Sequence, residues 1–257
     1  MSSQIGPAEP GRPFPPTRCS VVHAVGDADP EVRRQAFAAL AESYWKPVYK
    51  YLRVHWRAEG EDAADLTQEF FARALEKGTF GAYDPERARF RTFLRTCLDH
   101  FAASEKKAAR REKRGGGRAP LSLDFADFAS FSEIEAELAR QGAAIPPDGE
   151  EYFHREWVRS LFAAAVEDLR SQSAAAGKGA RFALFERYDL EGPRPGERLT
   201  YAQLGEEAGM SAVQVTNELA AARRDFRRLV LARLRALTAS EAELRAEARL
   251  VLGVDLP

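Results

Sequence analysis

Apolar residues recur three and four positions apart along almost the whole of this chain, and nowhere do they alternate with polar ones as a half-buried strand requires. That periodicity restricts the fold class to all-α, with the hydrophobic stripes of successive helices packed together. Val32, Ala36, Phe37, Leu40 and Ala41 follow Asp29-Pro30 at helical spacing, and Val48, Tyr49, Leu52 and Trp56 continue beyond Tyr44. Pro47 falls where its missing N–H costs least only if a second helix starts there, so a helix pair is expected. After Gly60, Leu66, Phe70, Ala74 and Leu75 form one face of a further helix and Asp62, Asp65 and Glu69 another, with Gly78 placed to stop it. Asp84-Pro85 reads as a cap and first-turn proline opening the longest helix, whose stripe runs Phe90, Phe93, Leu94, Cys97, Leu98, Phe101.

Beyond about residue 104 the stripe stops and charge takes over. Over residues 106–118 seven basic side chains face only Glu112, a net +6, and Gly115-Gly116-Gly117 closes the segment. Residues 119–151 reverse the sign, with eight acidic side chains against Arg140, a net -7. The whole-chain charge of -1 is therefore a cancellation between adjoining segments, and it does not argue against nucleic acid as a partner.

Four regions follow. Residues 1–18 hold five prolines and read as a flexible tail, residues 19–117 as a first helical domain, residues 118–151 as an acidic linker with some docking capacity, and residues 152–257 as a second helical domain. Trp157, Leu161, Phe162, Ala165, Val166 and Leu169 open the second domain in helical register, and Phe182, Leu184, Phe185 and Tyr188 make a short helix after Gly177 and Gly179.

Several chemistries are not expected. No apolar run approaches the roughly twenty residues of a membrane span, and residues 1–16 lack the apolar core of a signal peptide, so a cytoplasmic protein is expected. Cys19 and Cys97 stand in no C-x-x-C pair, and His23, His55, His100 and His154 lie at no metal-ligand spacing, so no metal and no cofactor is expected. Gly177-Lys178-Gly179 is not a phosphate-binding loop, and nothing marks the chain as an enzyme.

The most legible motif lies near the carboxyl end. Thr200 caps a short amphipathic helix, Gly209-Met210-Ser211 makes a tight turn, and Ala212 to Leu237 continues with Val215, Leu219, Ala222, Phe226, Leu229 and Val230 inward. Residues 200–224 thus have the pattern of a helix-turn-helix, whose second helix enters the major groove by its first residues. Gln214 and Asn217 pair with adenine in such a role, Thr216 touches a thymine methyl, and Arg223 and Arg224 reach phosphates.

Residues 60–71, Gly-Glu-Asp-Ala-Ala-Asp-Leu-Thr-Gln-Glu-Phe-Phe, resemble the "DAEDLxQExF" signature of the sigma-70 superfamily of bacterial RNA polymerase sigma factors. The helix Phe90 to Arg114 and the helix-turn-helix are similar to that family's minus-ten and minus-thirty-five readers, and their order and size resemble the extracytoplasmic-function (ECF) branch. The resemblance implies a factor that binds core RNA polymerase and both double-stranded and melted promoter DNA. Docking on the polymerase falls to Asp62, Asp65, Leu66, Gln68, Glu69 and Phe70. Minus-ten contacts fall to Phe90, Arg91, Arg95, His100, Lys106, Lys107, Arg110 and Arg111, and minus-thirty-five contacts to Tyr201, Ser211, Gln214, Thr216, Asn217, Arg223 and Arg224. An anti-sigma factor or a kinase acting on Thr67 would be a further partner, although the plain reading of Thr67 is an exposed helical threonine. The chain departs from the family pattern at Ala64, where an acidic residue is frequent, at His100 and at Thr216. The acidic linker either threads into the polymerase or folds back on the basic helix. Two other functions fit parts of the pattern: a free-standing helix-turn-helix regulator, which needs no docking signature, and a sigma-like interaction protein without promoter recognition.

Overall fold

A computed structural model of the chain describes residues 20–112, 131–141, 148–193 and 199–256. They form ten α-helices: α1 (Val21–Ala24), α2 (Pro30–Val54), α3 (Gly60–Glu76), α4 (Phe90–Glu112), α5 (Phe131–Gln141), α6 (Gly149–Ala175), α7 (Gly179–Phe185), α8 (Tyr201–Ala208), α9 (Ala212–Ala236) and α10 (Glu241–Leu252). The fold is all-α, and no strand occurs among the described residues. Local chemistry sets most of the starts. The Asp29 carboxylate accepts from the Glu31 amide at 2.8 Å, and Thr200 and Ser211 each close a complete capping box.

Two starts differ from expectation. The helix pair expected around Pro47 is one continuous helix, α2. An interior proline removes a backbone bond at a cost of about 3 kcal/mol, and burial of Pro47 with Val48, Tyr49, Tyr51 and Leu52 beside it offsets that loss. The longest stripe begins helix at Phe90 rather than at Pro85. Asp84 spends its carboxylate on a turn, accepting from the Glu86 amide at 3.0 Å, and the first amide of α4 is met from another part of the chain: Phe90 N–H donates to Glu243 of α10 at 3.4 Å.

The core is rich in rings. Phe37 stacks on Phe80 at 5.5 Å, Phe80 meets Phe90 edge-on at 5.6 Å, Phe90 meets Tyr44 at 5.6 Å, and Tyr44 stacks on Trp157 of α6 at 6.2 Å. The ring column thus runs out of the first expected domain and into the second. α6 explains why. Tyr152, Phe153, Glu156 and Trp157, in its first half, are buried against α2, whereas Leu161, Ala165, Leu169 and Ser173, farther along, face the group made by α7 and α9. A Cβ on Gly149 would come within 2.9 Å of the Tyr51 hydroxyl and 2.8 Å of the His55 ring, so the start of α6 approaches α2 as closely as glycine alone permits.

A buried charge cluster fastens the same seam. Lys50 donates to Glu156 at 3.0 Å and to Glu137 of α5 at 2.7 Å, with Lys50 and Glu156 both out of solvent. Glu135 of α5 takes a forked bond from Arg53 at 2.6 and 2.8 Å and accepts from the Tyr49 hydroxyl at 2.6 Å. The Arg53 guanidinium holds the Glu135 carboxyl below the usual carboxylate range. Within the acidic linker, α5 is therefore seated on α2, and Glu150 reaches Arg95 and Thr92 of α4; residues 113–130 and 142–147 lie outside the described residues.

Candidate functional site

α3 carries the first candidate surface. Glu61 and Asp62 sit in its first turn, where carboxylates favour the positive end of the helix dipole. Asp62 and Asp65 are exposed and make no hydrogen bond or ion pair among the described residues. Leu66 and Gln68 are half-buried beside them. Glu69 is half-buried too and paired with Arg73, which also reaches Glu105 of α4 and lies 5.3 Å over the Phe101 ring. Two expectations are corrected here. Phe70 is in the core, 5.2 Å from Phe71 and 5.6 Å from Phe101, so it supports the face from below. Thr67, expected to be exposed, is buried, and its hydroxyl donates to the Ala63 carbonyl at 2.7 Å.

α4 divides into an inner start and an outer end. Phe90 is buried within the ring column, which corrects its expected place on melted DNA. Arg91 is only 8% exposed; it donates to Glu247 of α10 and lies 5.2 Å over the Trp157 ring. It too is turned inward, because α10 lies across the start of α4. Arg95 is held by Asp99 at 2.8 Å and by Glu150 of α6 at 3.6 Å, and Asp99 is itself fixed by the Tyr51 hydroxyl at 2.9 Å and the Trp56 indole at 3.1 Å. His100, Lys106 and Lys107 are exposed, with Lys106 5.9 Å from the Trp56 ring. The side chains of Arg110 and Arg111 lie outside the described residues.

α8 and α9 carry the third surface, and the turn between them is set by two glycines. Gly209 takes φ 66°, the left-handed conformation that ends α8. A Cβ on Gly205 would come within 2.4 Å of the Met210 carbonyl oxygen, so the turn folds back onto α8 at a distance only glycine allows. Ser211 accepts from the Gln214 amide at 3.2 Å, and the Gln214 side-chain oxygen accepts from the Ser211 amide at 2.8 Å, with Gln214 exposed. The Thr216 hydroxyl donates back to Ala212 at 2.8 Å, so its methyl is the group it offers. Asn217 and Arg224 are exposed. Tyr201 is half-buried, edge-on to Tyr188 at 5.1 Å.

Arg223 is committed elsewhere: it grips Asp189 through Nη2 at 2.8 Å and Nε at 3.0 Å, and its guanidinium is held still more firmly protonated by that bond. Glu218 and Asp225, which lower the positive potential of α9 in the bare sequence, are both paired with Arg181. One exposed residue escaped the sequence reading. Val213 is 70% exposed on the first turn of α9, beside Gln214.

Among the described residues no group of three or more His, Cys, Asp or Glu side chains is placed to hold a metal ion, and no helix is long and apolar enough to cross a membrane. Residues 40–112, from the middle of α2 to the end of α4, match the family model of Sigma-70 region 2. No curated protein and no solved structure matches the chain. The match contains the open acidic face of α3 and supports a sigma-70 type of factor acting in transcription initiation, with core RNA polymerase and promoter DNA as partners.

Proposed function

We propose, taking residues 40–112 as a sigma-70 region 2, that the chain is an ECF-type sigma factor that docks on bacterial core RNA polymerase and directs it to two-part promoters. The observation that carries this reading is the exposed, unpaired acidic pair Asp62 and Asp65 within the matched segment. On such a face each carboxylate is free to accept a charge-assisted bond from a basic partner, worth about 1.5–3 kcal/mol apiece. His100, Lys106 and Lys107 then meet melted DNA near the minus-ten element. The first turns of α9, with Val213, Gln214, Thr216 and Asn217, enter the major groove at the minus-thirty-five element as the second member of a helix-turn-helix. Each bidentate pairing of an amide side chain with adenine adds about 1–3 kcal/mol of discrimination.

The test is reconstitution of the full chain with bacterial core polymerase and transcription from genomic fragments. Initiation at discrete sites is expected. Failure to associate with core polymerase overturns the reading in favour of a free-standing regulator, and association without specific initiation replaces it with a polymerase-binding protein that reads no promoter.

A further inference from the structure

Arg91, at the start of α4, lies under a lid made by α10, and the part-exposed Arg89 sits at the edge of that lid. α10 begins at Ser240, whose hydroxyl accepts from the Glu243 amide at 3.1 Å, and it packs Leu244 and Ala248 inward. Glu243 and Glu247 are one turn apart, about 5.4 Å along the axis, and so share the face turned to α4. Glu247 meets Arg91 and, at 3.4 Å, Arg89. Glu243 accepts from the Phe90 amide at 3.4 Å and the Tyr83 hydroxyl at 3.3 Å with one oxygen, and from the Ala239 amide at 2.7 Å with the other. Two arginines, a tyrosine hydroxyl and a helix-start amide all point at these two carboxylates. That donor set is what a run of backbone phosphates would call for.

The fit is poor for a purely structural contact. Glu247 is 2% exposed, and its second oxygen is buried with no hydrogen-bond partner among the described residues. A buried ion pair recovers its desolvation only when the remaining lone pairs are satisfied, and here they are not. An apolar pair would hold α10 down better, whereas a charged pair can be exchanged for another anion.

We propose that α10 masks a phosphate-binding site formed by Arg89, Arg91, Tyr83 and the start of α4, with Glu243 and Glu247 standing in for backbone phosphates of single-stranded DNA until the strand displaces them. The nature of the ligand rests on the sigma-factor reading above. The mask itself rests on the contacts of α10. It also accounts for the inward placement of Arg91: that residue is stored, and it becomes available only when α10 leaves.

The full-length protein and its Glu243→Gln/Glu247→Gln variant are titrated with a fluorescently labelled thymidine 20-mer across a series of salt concentrations. The variant is expected to bind at least tenfold tighter at low salt. Its salt dependence should steepen by about 1.4 in log–log slope, two phosphate contacts at about 0.7 each. Hydrogen exchange on the unaltered protein guards against a variant that fails to fold: adding the oligonucleotide should strip protection from residues 241–252 while residues 212–236 keep theirs. Equal affinity of the two proteins, or no binding by either, overturns the mask, as does α10 staying protected with DNA bound. Association with core polymerase, measured on the same samples, reports separately on the sigma-factor reading, since that face is on α3 and does not involve α10.

Discussion

The acidic face of α3 and the cationic start of α4 lie on packed neighbouring helices, yet one is open and the other is filled. Asp62 and Asp65 stand in solvent with no partner among the described residues, whereas Arg91 is buried against Glu247 and Trp157 and Arg95 is bracketed by Asp99 and Glu150. The difference teaches an order of events. A surface that is free in the isolated chain is ready for a first partner, and one whose charges are already matched waits for something to compete them away. In a sigma factor the first would be polymerase and the second DNA.

Four experiments break or sharpen that contrast. The largest effect is expected where charge is most deeply buried. Glu156→Ala leaves the buried Lys50 with only the part-exposed Glu137 and strips Arg159 of its carboxylate, and unfolding by urea should show a loss of about 3 kcal/mol. Asp62→Lys/Asp65→Lys should behave in the opposite way. Stability should change by less than about 0.5 kcal/mol, since the side chains are exposed, while affinity for core polymerase drops by about a hundredfold or more, about 2.7 kcal/mol. Loss of stability in that variant would mean that the face is structural after all.

Gly205→Ala tests whether the α8–α9 turn is as tight as its geometry implies. The new Cβ meets the Met210 carbonyl, a backbone atom that cannot step aside cheaply, and a thermal melt should register a cost of about 1–3 kcal/mol. The same substitution at Gly149 presses on the Tyr51 and His55 side chains instead. The smallest effect concerns pH. Burial, followed by the nearby Arg91 charge, pushes the His154 imidazole below its ordinary value of 6.5, with Arg89 acting in the same direction and Glu247 and Glu150 against it. The folded protein therefore resists protonating a group that the unfolded chain protonates readily. Stability contributed by neutral His154 is complete above about pH 6.5 and is lost as pH falls toward the lowered folded value, and His154→Gln should flatten that part of a denaturation profile.

The sequence was legible wherever a structural cause is local. Thr200, Ser211 and Gly209 announce α8, its turn and α9 within a few residues of where they act, and the stripe through Leu94 and Leu98 is the buried face of α4. It was misleading where the cause is distant. Asp84-Pro85 has the chemistry of a helix start, but α4 begins five residues later because its first amide is satisfied by Glu243, 153 positions away in sequence. Phe90 and Arg91 look like a DNA-reading pair until α10 is laid over them. A local signal for α10 did exist in Ser240-Glu241-Ala242-Glu243, the spacing of a capping box, and reading it would have supplied the helix though not its destination. The open face of α3 shows the same division: Asp62, Asp65 and the apolar side that holds Phe70 follow from helical spacing, but that Thr67 turns inward depends on the packing around Ala63.

α6 has a mechanical consequence of its own. Its 27 residues make a rod about 40 Å long, seated at one end among the rings of α2 and at the other among α7 and α9. The rod is an indexing shaft: its length sets the separation between α2 and the α7–α9 group, and its 3.6-residue pitch sets their angular phase, which in the proposed sigma factor would be the phase between its polymerase-docking and groove-reading parts. One residue inserted between Trp157 and Leu161 would advance the far end by only about 1.5 Å but turn it by about 100°, pointing α9 along a different side of the duplex. Promoter spacing would then be encoded in the count of residues along a single helix.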